Sequence, residues 1–142
     1  MYKHVLFPVD LSDKDSWQKT LPTALDMCRT YGGSLHVLSV LPDFGMSIVG
    51  QYFPDGYEKD VASKALEHLH TFVKEHVPED VRVQHVVGEG NVYEVILKIA
   101  GEINADVIVM GSHRPKLEDY LLGPNSARVV RHAKCSVFIV RA

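Results

Sequence analysis

Five short apolar runs alternate with four stretches of helical periodicity, and this alternation restricts the fold more than any other feature of the chain. The strand-length runs are Lys3 to Val9 (KHVLFPV), Ser34 to Leu41 (SLHVLSVL), Val81 to Val87, Val107 to Met110, and Ser136 to Arg141 (SVFIVR). Between them, apolar residues recur at spacings of three and four. The first such set is Trp17, Leu21, Ala24, Leu25 and Cys28; the second is Ala62, Leu66, Leu69, Val73 and Val77. Val92, Ile96, Ile99 and Ile103 form a third, and a shorter helix is expected from about Asn125 to His132. Strand and helix in strict turn call for a parallel sheet with helices on both faces. Right-handed crossovers then give an open, doubly wound α/β sheet of five strands in the order 3-2-1-4-5. Strand 2 is almost wholly apolar, as a strand covered on both faces should be. Strand 3 alternates at first (Val81 and Val83 against Arg82 and Gln84), which suits an edge. A single domain over residues 1–142 is large enough to bury a core without staples.

The ends of the elements carry their own signals. Ser12-Asp13-Lys14-Asp15 reads as a cap followed by an acid, the start of the first helix. Pro22 is awkward inside that helix, so a kink or a late restart is expected there. Tyr31-Gly32-Gly33 ends it, Pro78 ends the second helix, and Asn91 with Glu94 caps the third. Pro42 to Asp60 is a long connection holding Met46, Ile48, Val49, Tyr52 and Phe53. It reads either as a lid or binding surface, or as a surface insertion.

Composition removes several classes of function. A formal charge of −3 gives no electrostatic reason to expect nucleic acid or an anionic membrane as partner. No apolar run approaches the ~18 residues of a membrane span. The first residues, MYKHVLFPVD, turn acidic too soon for a secretory signal, so the cytoplasm is the expected compartment. Cys28 and Cys135 lie far apart among apolar residues and read as small buried thiols.

In a sheet of this order ligands bind at the carboxyl ends of the strands, where the winding reverses between strands 1 and 4. Asp10 ends strand 1 and Gly111 ends strand 4, so the two become neighbours. From Gly111 a polar loop leads to Gly123, which opens the last helix, and main-chain N–H groups can converge there on an anion. A carboxylate beside such a loop suits a nucleotide, the loop taking phosphates and the acid accepting from ribose hydroxyls. Asp10 also reads as a simple turn or capping acid, and its position alone does not separate the two roles.

Competing motifs are absent or incomplete. There is no GxxxxGK[ST] and no GxSxG, and Tyr93 stands where a GxGxxG beginning at Gly88 needs its third glycine. Val87-Gly88 occupy the place where a phospho-receiver needs an acid. The eight histidines show no metal spacing, and only His113 falls inside the loop.

With these residues in place, the chain resembles the universal stress protein family across its length. Pro8-Val9-Asp10, Val40, and Gly111-Ser112-His113 through Gly123 carry the resemblance. The nucleotide-binding branch of that family has a Gly-x2-Gly-x9-Gly-[Ser/Thr] loop. The resemblance implies ribose contact by Asp10, beside Pro8 and Val9, and adenine contact by the Val40 main chain. It also implies a wall of Met110, Gly111, Ser112 and His113, with phosphates at Gly123, Asn125 and Ser126. The ligand it implies is ATP or AMP, with Mg²⁺ accompanying ATP. Arg114 stands where the second glycine belongs, the loop to Gly123 is one residue shorter, and Pro124 replaces the Ser/Thr. Pro124 has no N–H, which removes a charge-assisted bond of roughly 1.5–3 kcal/mol. That equals about a ten- to hundred-fold loss of affinity. Arg114 can offset it through a bidentate phosphate contact. SHRP…YLLG-x-N-x-A-x-VVRHA-x-CSV resembles a short-loop branch that retains nucleotide binding.

The same resemblance implies a homodimer through antiparallel pairing of strand 5 (Val137, Phe138, Ile139, Val140). The sequence-level expectation is therefore a cytoplasmic, dimeric stress-response sensor or interaction module that binds an adenine nucleotide. No general base stands ready to take the proton of a water attacking a γ-phosphate, so any ATPase activity should be slow. A nucleotide-free structural dimer is the rival, and a slow hydrolase or phosphotransferase using Ser112, Ser126 or His113 is a third reading.

Overall fold

A computed structural model, which describes residues 1–41, 57–112 and 123–141, shows why the alternating runs settle as they do. Its elements are β1 (His4–Pro8), a 3-10 turn at Lys14–Ser16, α1 (Thr20–Tyr31), β2 (Ser34–Leu41) and α2 (Tyr57–His76). They continue as β3 (Arg82–Glu89), α3 (Val92–Glu102), β4 (Val107–Ser112), α4 (Gly123–His132) and β5 (Ser136–Arg141). The strands form one parallel sheet in the expected order, β3-β2-β1-β4-β5. Val5 of β1 lies opposite Leu35 of β2 on one side and Val107 of β4 on the other.

The two-residue period of a strand divides the core between the sheet's faces. Val5, Phe7, Leu35, Val37, Val107 and Val109 face α1 and α2, where Leu21, Ala24, Leu25, Leu69 and Phe72 cover them. Leu6, Leu38, Ile108 and Met110 face the other way, against Val95, Ile96, Ala100 and Val129 of α3 and α4. Burying both faces of β1 and β4 is what demands the unbroken apolar runs. Among the described residues, no helix is long and apolar enough to cross a membrane. Burial pushes the Cys28 thiol up to about 11 and raises Cys135 as well, so neither sulfur is poised as a thiolate.

Several element ends differ from expectation. The first helix restarts late: Asp13, not Ser12, caps the short 3-10 turn, its side chain accepting from the Asp15 N–H. α1 then begins at Thr20, which places Pro22 in its first turn, where a missing N–H is harmless. Gly32 closes α1 with φ of 62°, a left-handed cap. α2 starts at Tyr57, inside the stretch expected to be connection. Its buried residues include Ala65, Leu69 and Phe72, with Val77 buried just past its end, while Leu66 stays 38% exposed. Asn91 takes the cap position of α3 without a side-chain hydrogen bond. The segment holding Met46, Ile48, Val49, Tyr52 and Phe53 lies outside the described residues.

Candidate functional site

The carboxyl end of β1 is locked before it reaches any ligand. Val9 N–H donates to the Leu38 carbonyl at 2.8 Å, which holds the exit of β1 against β2. Ser16, fully buried, then fastens the turn that follows. Its Oγ accepts from Asp10 N–H at 3.2 Å and lies within donor range of the Asp10 and Asp13 carbonyls, at 2.9 and 2.7 Å. Asp10 Oδ1 accepts from Ser12 N–H at 3.0 Å and from Ser12 Oγ at 2.6 Å, an Asx turn. The turn-acid reading of Asp10 is therefore satisfied by one carboxylate oxygen. Oδ2 makes no hydrogen bond to a described residue.

That turn forms one wall of a cavity of about 260 Å³ at the carboxyl ends of β1 and β2. Asp10, Leu11, Ser12, Ser39, Val40 and Val92 are among its lining residues, with Pro8 and Val9 at its base. Four of the expected site residues, Pro8, Val9, Asp10 and Val40, thus meet in one place. Val92, at the start of α3, closes the far side and was not anticipated from the sequence. Its only prior signal was its place just after the Gly88-Glu89-Gly90 turn. The lining mixes an acid and two hydroxyls with aliphatic faces, as a planar heterocycle carrying a sugar needs.

The other expected residues are distributed differently. Met110 is completely buried in the core beneath α3 and α4, so its side chain belongs to the packing. Gly111 is buried too, and its carbonyl accepts from Ser126 Oγ at 3.2 Å, tying α4 to the end of β4. A Cβ at Gly111 would lie 2.9 Å from Thr20 Oγ1 and 3.2 Å from the Ser16 carbonyl, so only glycine lets β4 approach α1 this closely. Ser112 closes β4 opposite Arg141 of β5. Gly123 opens α4, and Asn125 is half-buried in its first turn. His113 and Arg114 lie outside the described residues.

Two pairs of histidines meet, His4 with His36 between strands and His70 of α2 with His85 of β3. His36 is buried between His4, whose Nδ1 lies 3.1 Å from His36 Nε2, and Gln84, whose Oε1 meets His36 Nδ1. Burial lowers the His36 imidazole below its ordinary value, with the Gln84 bond opposing and His4 adding to the shift. Gln84 fixes the proton on Nδ1, which makes Nε2 an acceptor for His4. His85 stacks on His70 at 3.9 Å between ring centroids, and burial lowers it likewise, with His70 contributing. Among the described residues, no group of three or more His, Cys, Asp or Glu could hold a metal ion. A cleft of about 340 Å³ beside Gly101 and Cys135 sits at the opposite, amino-terminal edge of the sheet, away from Asp10.

Residues 1–141 match the model of the Universal stress protein family. Universal stress protein G of Shigella flexneri is 32% identical over 143 residues, spanning 99% of this chain and 100% of that protein. Universal stress protein UspA from Lactobacillus plantarum superposes with a TM-score of 0.69 at 21% identity, covering 99% of this chain and 98% of that one. A universal stress protein solved in complex with cAMP superposes with a TM-score of 0.59 at 18% identity, covering 99% and 97%.

Proposed function

The chain belongs to the universal stress protein family, and from that premise we propose that it binds an adenine nucleotide, ATP or AMP, with the nucleoside at the carboxyl ends of β1 and β2 and the phosphates toward the end of β4. The observation that carries the reading is the single cavity that Asp10, Val40 and Val92 line together. The base would lie between the main chain of Val40 and the side chain of Val92. Asp10 Oδ2 would accept from ribose hydroxyls, while Oδ1 continues to hold the turn. Phosphates would fall toward Gly123 and the amino-terminal turn of α4, where the helix dipole favours anions. Asn125 and Ser126, on the first residues of α4, would meet those phosphates together with Ser112 at the end of β4, and His113 and Arg114 are proposed to contribute to the same contact. Mg²⁺ would arrive with ATP rather than through a protein ligand set. The cAMP complex of the related fold supports an adenine ligand by analogy.

Binding without fast turnover makes the protein a sensor or interaction module in the stress response. The cytoplasm, which keeps the free thiols of Cys28 and Cys135 reduced, is the compartment this reading assigns. Phe138, 45% exposed on the outer strand, would join two copies through antiparallel pairing of β5, together with Val137, Ile139 and Val140. Thermal melts with ATP, AMP and GTP test the reading. At a hundred times its dissociation constant an adenine nucleotide should stabilise by about 2.7 kcal/mol. No shift with any of the three at millimolar concentration would assign the chain to the nucleotide-free structural dimers instead.

A further inference from the structure

The protein is acidic as a whole, yet its last 22 residues contain Arg128, Arg131, Lys134 and Arg141 and no Asp or Glu. With a net charge of −3 for the chain, the first 120 residues carry −7. Two of these cations, Arg128 and Arg131 of α4, line an open cleft of about 530 Å³ between α3 and α4 with Tyr93, Ala127 and His132. The Arg128 guanidinium lies 5.0 Å from the centre of the Tyr93 ring. The His132 ring stacks on the same tyrosine at 6.5 Å and 30°. Neither arginine forms an ion pair with a described residue. Among the described residues, the carboxylate bonded to a lining residue is Glu94, which accepts from the Tyr93 hydroxyl at 3.3 Å.

We propose that the Tyr93–Arg128–Arg131 cleft is a docking surface for a short acidic peptide segment of a protein partner. Charge complementarity is the first reason: two guanidinium groups with no ion pair among the described residues line one cleft with an aromatic ring, in a chain that is otherwise acidic. A guanidinium placed over a ring face spends none of its five N–H donors on that contact, so they remain for bidentate capture of a carboxylate. Spacing is the second. Residues three apart on a helix have Cβ atoms about 5–6 Å apart. Alternate residues of an extended peptide project on one face about 6.5–7 Å apart. A segment of the form acid-x-acid therefore meets Arg128 and Arg131 together, and an apolar neighbour would lie on Tyr93. Nucleic acid is disfavoured, because two cations do not span a phosphate array and −7 on the remainder repels a long polyanion. The plain alternative is that Arg131 and His132, in the last turn of α4, merely offset the helix dipole. Arg128 stands outside that turn and is not explained by it.

Fluorescence anisotropy with a labelled octapeptide alternating glutamate and tyrosine tests the proposal, beside a lysine-tyrosine octapeptide and an eight-nucleotide thymidine strand. The acidic peptide should bind, and raising salt from 50 to 300 mM should weaken it several-fold. The double variant R128S/R131S should lose about tenfold or more, whereas K134S, outside the cleft, should not. Binding of ATP by R128S/R131S should match the parent, which separates this surface from the nucleotide site. Any of three results overturns the proposal: no acidic-peptide binding at millimolar concentration, equal binding by R128S/R131S, or tighter binding of the thymidine strand. Absent binding together with a lower melting temperature for R128S/R131S would assign the arginines to the α4 dipole.

Discussion

Replacing Asp10 with Asn separates the two duties of this carboxylate. Oδ1 accepts from Ser12 N–H at 3.0 Å and from Ser12 Oγ at 2.6 Å, and an amide oxygen can accept the same two donors. The turn should therefore persist, with a stability change below about 1 kcal/mol. Oδ2 becomes an NH₂ group, and an acceptor facing ribose becomes a donor. A charge-assisted bond of roughly 1.5–3 kcal/mol is lost, which corresponds to about a ten- to hundred-fold weaker nucleotide. Asp10→Ala removes both functions, so it should weaken binding similarly and also lower the melting temperature. Calorimetric titration of AMP and ATP, paired with thermal melts of each variant, reads both quantities. An Asp10→Asn protein that melts like the parent and binds AMP within twofold of it would refute the ribose role.

His36 carries a pH prediction. Its imidazole is lowered in the fold by burial, so the unfolded chain takes up the proton more readily. Stability should be full above the ordinary value of about 6.5 and fall as the pH drops below it; His36→Gln should flatten this slope, and an unchanged slope in urea titrations contradicts the burial argument. Gly111→Ala places a methyl group against Thr20 and Ser16, both buried, and should cost about 1–3 kcal/mol by urea denaturation; a midpoint equal to the parent's would show that β4 and α1 can separate freely. Phe138→Asp should turn a dimer into a folded monomer in sedimentation experiments, and a parent protein that sediments as a monomer removes the β5 interface.

The strands were legible because a parallel sheet covered on both faces needs uninterrupted apolar runs, and HVLFP and SLHVLSVL have few other uses. The late start of α1 was legible from Pro22, but the cap of the 3-10 turn before it was not. Ser12 and Asp13 are both good caps, and the choice fell to Asp13 because Asp10 engages Ser12. On α2, Leu66–Leu69–Val73 and Ala65–Leu69–Phe72 are adjacent stripes with equally good helical spacing. Periodicity could not tell which one the sheet would cover. In the candidate site, Asp10 was proposed because strand ends and topology place it at the winding reversal, and Val40 because the family resemblance implied it. Val92 was hidden, since its position depends on how α3 leans over β2. The meeting of His36 with Gln84 follows from the β2–β3 register, which pairs those two residues and which no local pattern encodes. Ser16 gave no signal either, because a buried hydroxyl serving three backbone groups looks like any other serine in a sequence.

Amide chemical-shift mapping of an isotope-labelled sample titrated with AMP, then ATP, tests nucleotide binding at the β1/β4 crossing most directly. Saturable changes should concentrate at Asp10, Leu11, Ser12, Val40 and Val92, with ATP adding changes at Gly123, Asn125 and Ser126. Changes confined to the opposite cleft around Gly101 and Cys135, or none at millimolar nucleotide, would contradict it.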